Sequence, residues 1–195
     1  MSNQELIVKL REYTGAGILD CKKALDEAQG NYEAAVDLLR KKGQKVAANK
    51  QDRETKEGRV HSYIHGNGNA GALVEVLCET DFVARNDQFI QFCHEIAMHI
   101  VAAKPLYVRA TDIADEVLAR EREIYEEQMA GDSKPAEIKE KILQGKLAKY
   151  YAETCLLNQP FIIDDSKTVE QYLTEMIAKI GEKIEIRRFC RFALS

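Results

Sequence analysis

The apolar residues of this 195-residue chain change period near residue 50, and that change constrains the fold more than any other feature. Before it they recur every three or four positions, the spacing that lines one face of a helix. The stripes are Leu6, Leu10 and Tyr13, then Ile18, Cys21, Leu25 and Ala28, then Tyr32, Ala35, Val36 and Leu39. Thr14-Gly15-Ala16-Gly17 and Gln29-Gly30-Asn31 interrupt them with cap and turn chemistry, and Arg40, Lys41 and Lys42 ahead of Gly43 suit a helix C-terminus. The expectation is a compact three-helix module over residues 1–50.

From 46 to 58 the sequence is polar with no apolar period, a helix tail passing into a linker. Residues 60–65 and 72–78 are strand-like. Gly66-Asn67-Gly68-Asn69-Ala70-Gly71 between them tolerates the positive φ that a hairpin requires. The second strand is apolar on both faces, with Val74 and Val76 against Leu73 and Leu77, so it is expected to be central and covered on both sides. Phe89, Phe92, Cys93, Ile96, His99, Ile100 and Ala103 form a stripe on a helix ending before Pro105, which should cover the sheet.

Residues 112–129 and 135–150 read as two charged helices, joined through a turn at Gly131-Asp132-Ser133-Lys134 with Pro135 at a first helical position. Their sparse apolar residues, Ile113, Val117 and Ile124 against Ile138, Ile142 and Leu147, suffice for a narrow seam. A projecting helical hairpin over 112–150 follows. A helix over 167–180, with Val169, Leu173 and Ile177 on one side, then precedes a strand over 183–193. That strand alternates Ile184, Ile186, Arg188, Cys190 and Phe192 with Glu185, Arg187, Phe189 and Arg191. The fold class is α+β: the helical module, then a core over 51–195 in which a small antiparallel sheet packs with helices.

Composition narrows function. The hydrophobic share of 45% and charged share of 31% are those of a chain that folds. A net charge of −4 with both signs interspersed lacks the basic stripe that phosphate binding demands, so no direct nucleic-acid contact is expected. Residues 1–7 show neither the basic nor the apolar region of an export signal, and no stretch approaches the ~18 apolar residues of a membrane span. A cytoplasmic protein is expected, with Cys21, Cys78, Cys93, Cys155 and Cys190 reduced and no membrane partner.

Catalytic motifs are missing: no G-x-x-x-x-G-K-[ST], no G-x-G-x-x-G opening a helix, no G-x-S-x-G and no H-E-x-x-H. His61 and His65 share a strand face, but two imidazoles hold a metal only with ligands from elsewhere, and no metal or cofactor is expected. Cys93, His94 and His99 suggest a thiol enzyme; against that, Cys93 and His99 fall in the apolar stripe, where packing is the simpler role. The reading is a protein that is not an enzyme.

Two features stand out. At Thr80-Asp81-Phe82-Val83-Ala84-Arg85-Asn86-Asp87 the central strand gives way to a helix. There an aromatic beside a carboxylate could project as a wedge into a partner. The plainer reading, favoured by physics alone, is that Thr80 or Asp81 caps the helix and Phe82 tucks into the core. In the second helix, Leu19 groups with Lys22, Lys23 and Asp26 on the face opposite the stripe, a workable contact surface for an acidic helix.

Thr14-Gly15-Ala16-Gly17-Ile18-Leu19-Asp20-Cys21-Lys22-Lys23-Ala24-Leu25 resembles the N-terminal signature of the elongation factor Ts family. Thr80-Asp81-Phe82-Val83-Ala84-Arg85-Asn86 resembles its second signature, and Ile96-Ala97-Met98-His99-Ile100 with Lys104-Pro105 a third. Gln159-Pro160-Phe161 and Asp165-Ser166-Lys167-Thr168-Val169 are similar to later segments, in the same order. The resemblance implies a ubiquitin-associated-type domain over 1–50, a core of sheet and helices, and a coiled-coil hairpin. It also implies guanine-nucleotide exchange on elongation factor Tu and reverses the plainer reading of the corner. Asp81 and Phe82, flanked by Thr80 and Val83, would enter the partner's GTPase domain. Ile18, Leu19 and Lys22 would touch its nucleotide domain.

Longer members of that family carry two core subdomains in tandem, whereas this chain has length for one. Short forms pair as homodimers. The last strand's Ile184, Ile186, Cys190 and Phe192 are the expected pairing face, with an intersubunit disulfide at Cys190 as a further hypothesis that a non-reducing gel would test. The rival readings are a non-exchanging module working through its helical domain and a thiol or metal enzyme built on Cys93 and the histidines.

Overall fold

The computed structural model describes residues 2–129 and 135–194, so the turn expected at 131–134 lies outside the described residues. Three helices open the chain, α1 (Asn3–Thr14), α2 (Ile18–Glu27) and α3 (Tyr32–Ala48). Their boundaries follow from caps. Ser2 and Glu5 bond each other's backbone N–H groups at the start of α1, and the Asn31 side chain accepts the Ala34 N–H at 3.1 Å at the start of α3. Leu10, Cys21, Ala24, Leu25, Ala35, Val36 and Leu39 form their shared core. Tyr13 and Ile18, expected in the apolar stripes, are exposed instead, because each sits at a helix end where Thr14-Gly15-Ala16-Gly17 turns the chain away.

Strands β1 (Glu57–Ile64) and β2 (Ala70–Cys78) make a hairpin, closed by the His65 N–H to the Ala70 carbonyl at 2.8 Å. Gly58 has φ 154°, and a Cβ there would meet the Val76 carbonyl oxygen at 2.2 Å, so only glycine permits this approach of β1 to β2. The sheet order is β1-β2-β5, with β5 at Ile184–Ala193. Position β2 is therefore central, as expected. Only the face carrying Ala72, Val74, Val76 and Cys78 is fully buried; Leu73 is exposed and Leu77 half-buried, so the second face is not covered as the sequence suggested. Residue numbers fall along β2 as they rise along β5, through Glu79 with Lys183, Glu75 with Arg187 and Asn69 with Leu194, making the pair antiparallel.

Two further helices, α4 (Asp81–Ala84) and α5 (Asp87–Ala103), follow β2. Phe89, Phe92, Cys93, Ile96, His99 and Ile100 are all buried, the stripe read from sequence, and α5 meets the sheet where His94 lies 3.2 Å from His61. The charged pair is α6 (Asp115–Gln128) and α7 (Ala136–Thr154), which pack on each other. Lys146 bonds the Gln128 side chain at 2.5 Å and lies over the Tyr125 ring. Of the residues expected in the seam, Ile113 is buried and Val117, Ile142 and Leu147 are half-buried, whereas Ile124 and Ile138 are exposed; Leu143, which the sequence did not single out, is buried beside Ile142.

A two-stranded hairpin, β3 (Pro160–Phe161) with β4 (Asp164–Thr168), precedes α8 (Val169–Ile180). The sequence reading missed it and began the helix at Lys167, which lies in β4. In β5 the inward parity passes from Ile184 and Ile186 to the half-buried Phe189 and Arg191, a shift of one residue. Among the described residues no helix is long and apolar enough to cross a membrane. The chain divides into two compact units, one of Met1–His61, Val74–Glu95 and Gln171–Arg187, the other of Ser62–Leu73, Ile96–Glu170 and Arg188–Ser195.

Candidate partner-binding site

The corner after β2 is built by capping. Thr80 has extended backbone, φ −128° and ψ 155°, and its hydroxyl accepts the Val83 N–H at 3.4 Å, starting the single turn of α4. Ala84 faces inward and is buried, while Phe82, on the other side of the turn, is 82% exposed. Asp81 pairs with Arg85 at 3.2 Å with both groups largely in solvent. Val83 is half-buried. Asn86 then accepts the Gln88 N–H at 2.8 Å and opens α5. The cap in the plainer reading is present; the tucked ring is not.

Strong ties hold the segment leading into this corner. Burial works against ionisation of Glu79, but the Lys183 N–H and Arg53 outweigh it and hold the carboxyl below its usual range. Cys78 donates its thiol to the Thr80 carbonyl at 3.2 Å, and burial together with the nearby Glu182 charge pushes it up to about 11. Thiol and cap are thus both fixed in place.

At the start of α2, Ile18 and Leu19 are exposed, Leu19 at 73%, and Lys22 lies one turn on and also in solvent. Lys22 is four residues from Ile18 and three from Leu19, so it neighbours each of them on the helix surface. They and the Thr80–Val83 residues belong to the same compact unit.

The residues that suggested enzyme chemistry have other partners. His61 bonds His94, and burial, followed by the His94 and Arg59 charges, lowers its pKa; His65 bonds the Tyr63 hydroxyl at 3.2 Å. Burial pushes the Cys93 thiol up to about 12, which opposes a thiolate at neutral pH. His99 lies in a buried polar hub, where its Nδ1 accepts the Ile162 N–H and its Nε2–H donates to Gln159 Oε1 at 3.0 Å. Gln159 uses its amide group on the Ala103 and Glu153 carbonyls. Among the described residues no cluster of three or more His, Cys, Asp or Glu is placed to hold a metal.

The four residues expected on a pairing face are divided. Ile184 and Ile186 are buried within the chain itself, whereas Cys190 is an exposed free thiol and Phe192 is 74% exposed. The shift of parity along β5 is the reason.

Comparison with known proteins decides the family. The sequence model described as Elongation factor TS matches residues 20–176. The elongation factor Ts of Carboxydothermus hydrogenoformans is 53% identical over 194 residues, covering 100% of this chain and 89% of that protein. The chain belongs to the elongation factor Ts family. That of Geotalea uraniireducens is 55% identical over 186 residues (95% and 86% of the two chains), and that of Thermotoga petrophila 51% over 192 residues (98% and 96%). Membership in the elongation factor Ts family brings with it the guanine-nucleotide exchange role, and no observation favours a non-exchanging module instead. The matched region contains the Asp81-Phe82 corner and Lys22, while Ile18 and Leu19 lie just outside it.

Proposed function

We propose that the chain promotes GDP release from elongation factor Tu by offering Phe82 as a wedge, with Asp81 beside it, to the partner's nucleotide-binding domain. A GTPase grips GDP through phosphate-loop amides and a bound Mg²⁺, so displacing the elements that cradle them speeds release without any covalent step. Thr80 and Val83 complete the contact, and Ile18, Leu19 and Lys22 supply a second one from a ubiquitin-associated-type module over residues 1–50. Linkage makes the effect mutual: factor and nucleotide each weaken the other's binding, and GTP expels the factor. The observation that carries this reading is the 82% exposure of a phenylalanine on a capped turn, where a bare aromatic otherwise has nothing to gain.

The remaining core, 51–195, serves in this proposal as a dimerisation domain, with 112–150 as a coiled-coil hairpin. Ile64, Leu73, Cys190, Phe192 and Leu194 are exposed in one compact unit, and a second copy of the chain is the occupant proposed for Cys190, Phe192 and their neighbours. Ile184 and Ile186, earlier in the same strand, are buried within the chain. The protein works in the cytoplasm, with no cofactor and no direct nucleic-acid contact. The test is release of labelled GDP from elongation factor Tu. Phe82→Ala is expected to lose most of the acceleration while its thermal unfolding stays unchanged, and full activity in that variant would overturn the wedge.

A further inference from the structure

The residues just beyond the end of β2 and the start of β5 are tied crosswise. Glu79 accepts the Lys183 N–H at 2.5 Å. Glu182 takes Thr80 with both oxygens, the N–H on Oε2 at 3.1 Å and the hydroxyl on Oε1 at 2.7 Å. The Thr80 hydroxyl therefore donates to Glu182 and accepts from Val83, the cap bond that starts the turn carrying Phe82. Glu182 reaches this point because α8 stops at Gly181, whose φ of 84° favours glycine. The Gly181 N–H closes on the Ile177 carbonyl at 2.9 Å, and Lys50 donates to the Gly181 carbonyl.

We propose that Glu182 is a positioning residue for nucleotide exchange, acting through Thr80 to hold Phe82 outward; the inference rests on the wedge reading above. A helix of four residues does not sustain itself, and an exposed aromatic gains by folding back onto apolar surface. Something has to oppose that collapse. Two hydrogen bonds to one carboxylate, each strengthened by its charge, fix both the backbone and the side chain of the capping residue. Glu182 bonds Thr80, two residues before Phe82, and so acts on the wedge through the cap.

The experiment is GDP release from elongation factor Tu with Glu182→Ala, Glu182→Gln, Phe82→Ala and the Phe82→Ala/Glu182→Ala pair, each below its own melting temperature. Glu182→Ala is expected to slow exchange by up to about a hundredfold, the cost of misplacing a critical group by about 1 Å. Glu182→Gln should recover most of it, because its amide oxygen still accepts the Thr80 N–H and its amide nitrogen can donate to the hydroxyl. The double variant should be no slower than Phe82→Ala alone, a non-additivity that mere loss of stability would not produce. Equal losses from Glu182→Ala in the two backgrounds, or full activity in Glu182→Ala, overturn the proposal. Should Phe82→Ala exchange at the full rate, the wedge reading falls and this inference with it; an impaired Phe82→Ala beside a fully active Glu182→Ala removes this inference alone.

Discussion

Phe82 and Phe89 stand on consecutive helices, yet one ring is 82% exposed and the other wholly buried. In α5, 17 residues give a continuous apolar face, and burial of that face decides where every ring on it goes. In α4 only four residues are available, Ala84 takes the inward position, and the turn's direction is set by ties to distant residues rather than by its own pattern. Long helices are placed by what they bury. Short capped turns are placed by what holds their ends.

The sharpest way to break this comparison is to remove one ring from each helix. Phe92 is fully buried and packs 5.3 Å, centroid to centroid, from Tyr172, whose hydroxyl bonds Glu95. Phe92→Ala should cost about 4 kcal/mol in urea unfolding, the transfer and cavity loss typical of a core phenylalanine. Phe82→Ala should stay within about 0.5 kcal/mol of the unaltered chain, the range of a surface substitution, while losing exchange. Equal destabilisation by the two would mean that Phe82 also supports the core.

This contrast explains what was legible in the sequence. The α5 stripe was, because a period of three to four over several turns is a local signal. The direction of Phe82 was not: its neighbours favoured a tucked ring, and only the resemblance turned it outward. Glu182 meets Thr80 across 102 positions of chain and Glu79 meets Lys183 across 104, and no short-range pattern announces such pairs. The alternation of β5 was legible, but its change of parity was not, so Ile184 and Ile186 were grouped with Cys190 and Phe192 when they lie inside the chain. Likewise β3 has two residues, too few for any period.

A smaller effect separates the two helices by pH. Burial lowers the pKa of His99, and the Gln159 bond that favours the charged form does not offset it. The protonated ring would lose its acceptor for the Ile162 N–H. Below the ordinary histidine value of 6.5 the unfolded chain binds a proton that the folded chain refuses. Stability is therefore complete above that pH and falls as pH drops through it toward the lowered folded value. His61, lowered by burial and then by His94 and Arg59, adds in the same direction. The slope should not exceed about 1.4 kcal/mol per pH unit for each histidine. Urea midpoints at pH 7.5 and 5.5 measure it, and a midpoint rising on acidification would show that these rings are charged in the fold.

The smallest effect expected is at the corner's own surface. Asp81 and Arg85 pair at 3.2 Å across one turn, but the arginine is 79% exposed and the aspartate 46%, so solvent and salt screen most of their attraction. Arg85→Ala should shift stability by no more than about 0.5 kcal/mol, and less at high salt. If short turns are held by their ends, the bonds from Glu182 to Thr80 keep α4 in place when this pair is gone. Phe82 then stays outward, and Asp81 reaches the partner without first leaving Arg85, so GDP release should not slow. A slowed release with unchanged stability would show that the ion pair, and not the distant carboxylate, sets the direction of the turn.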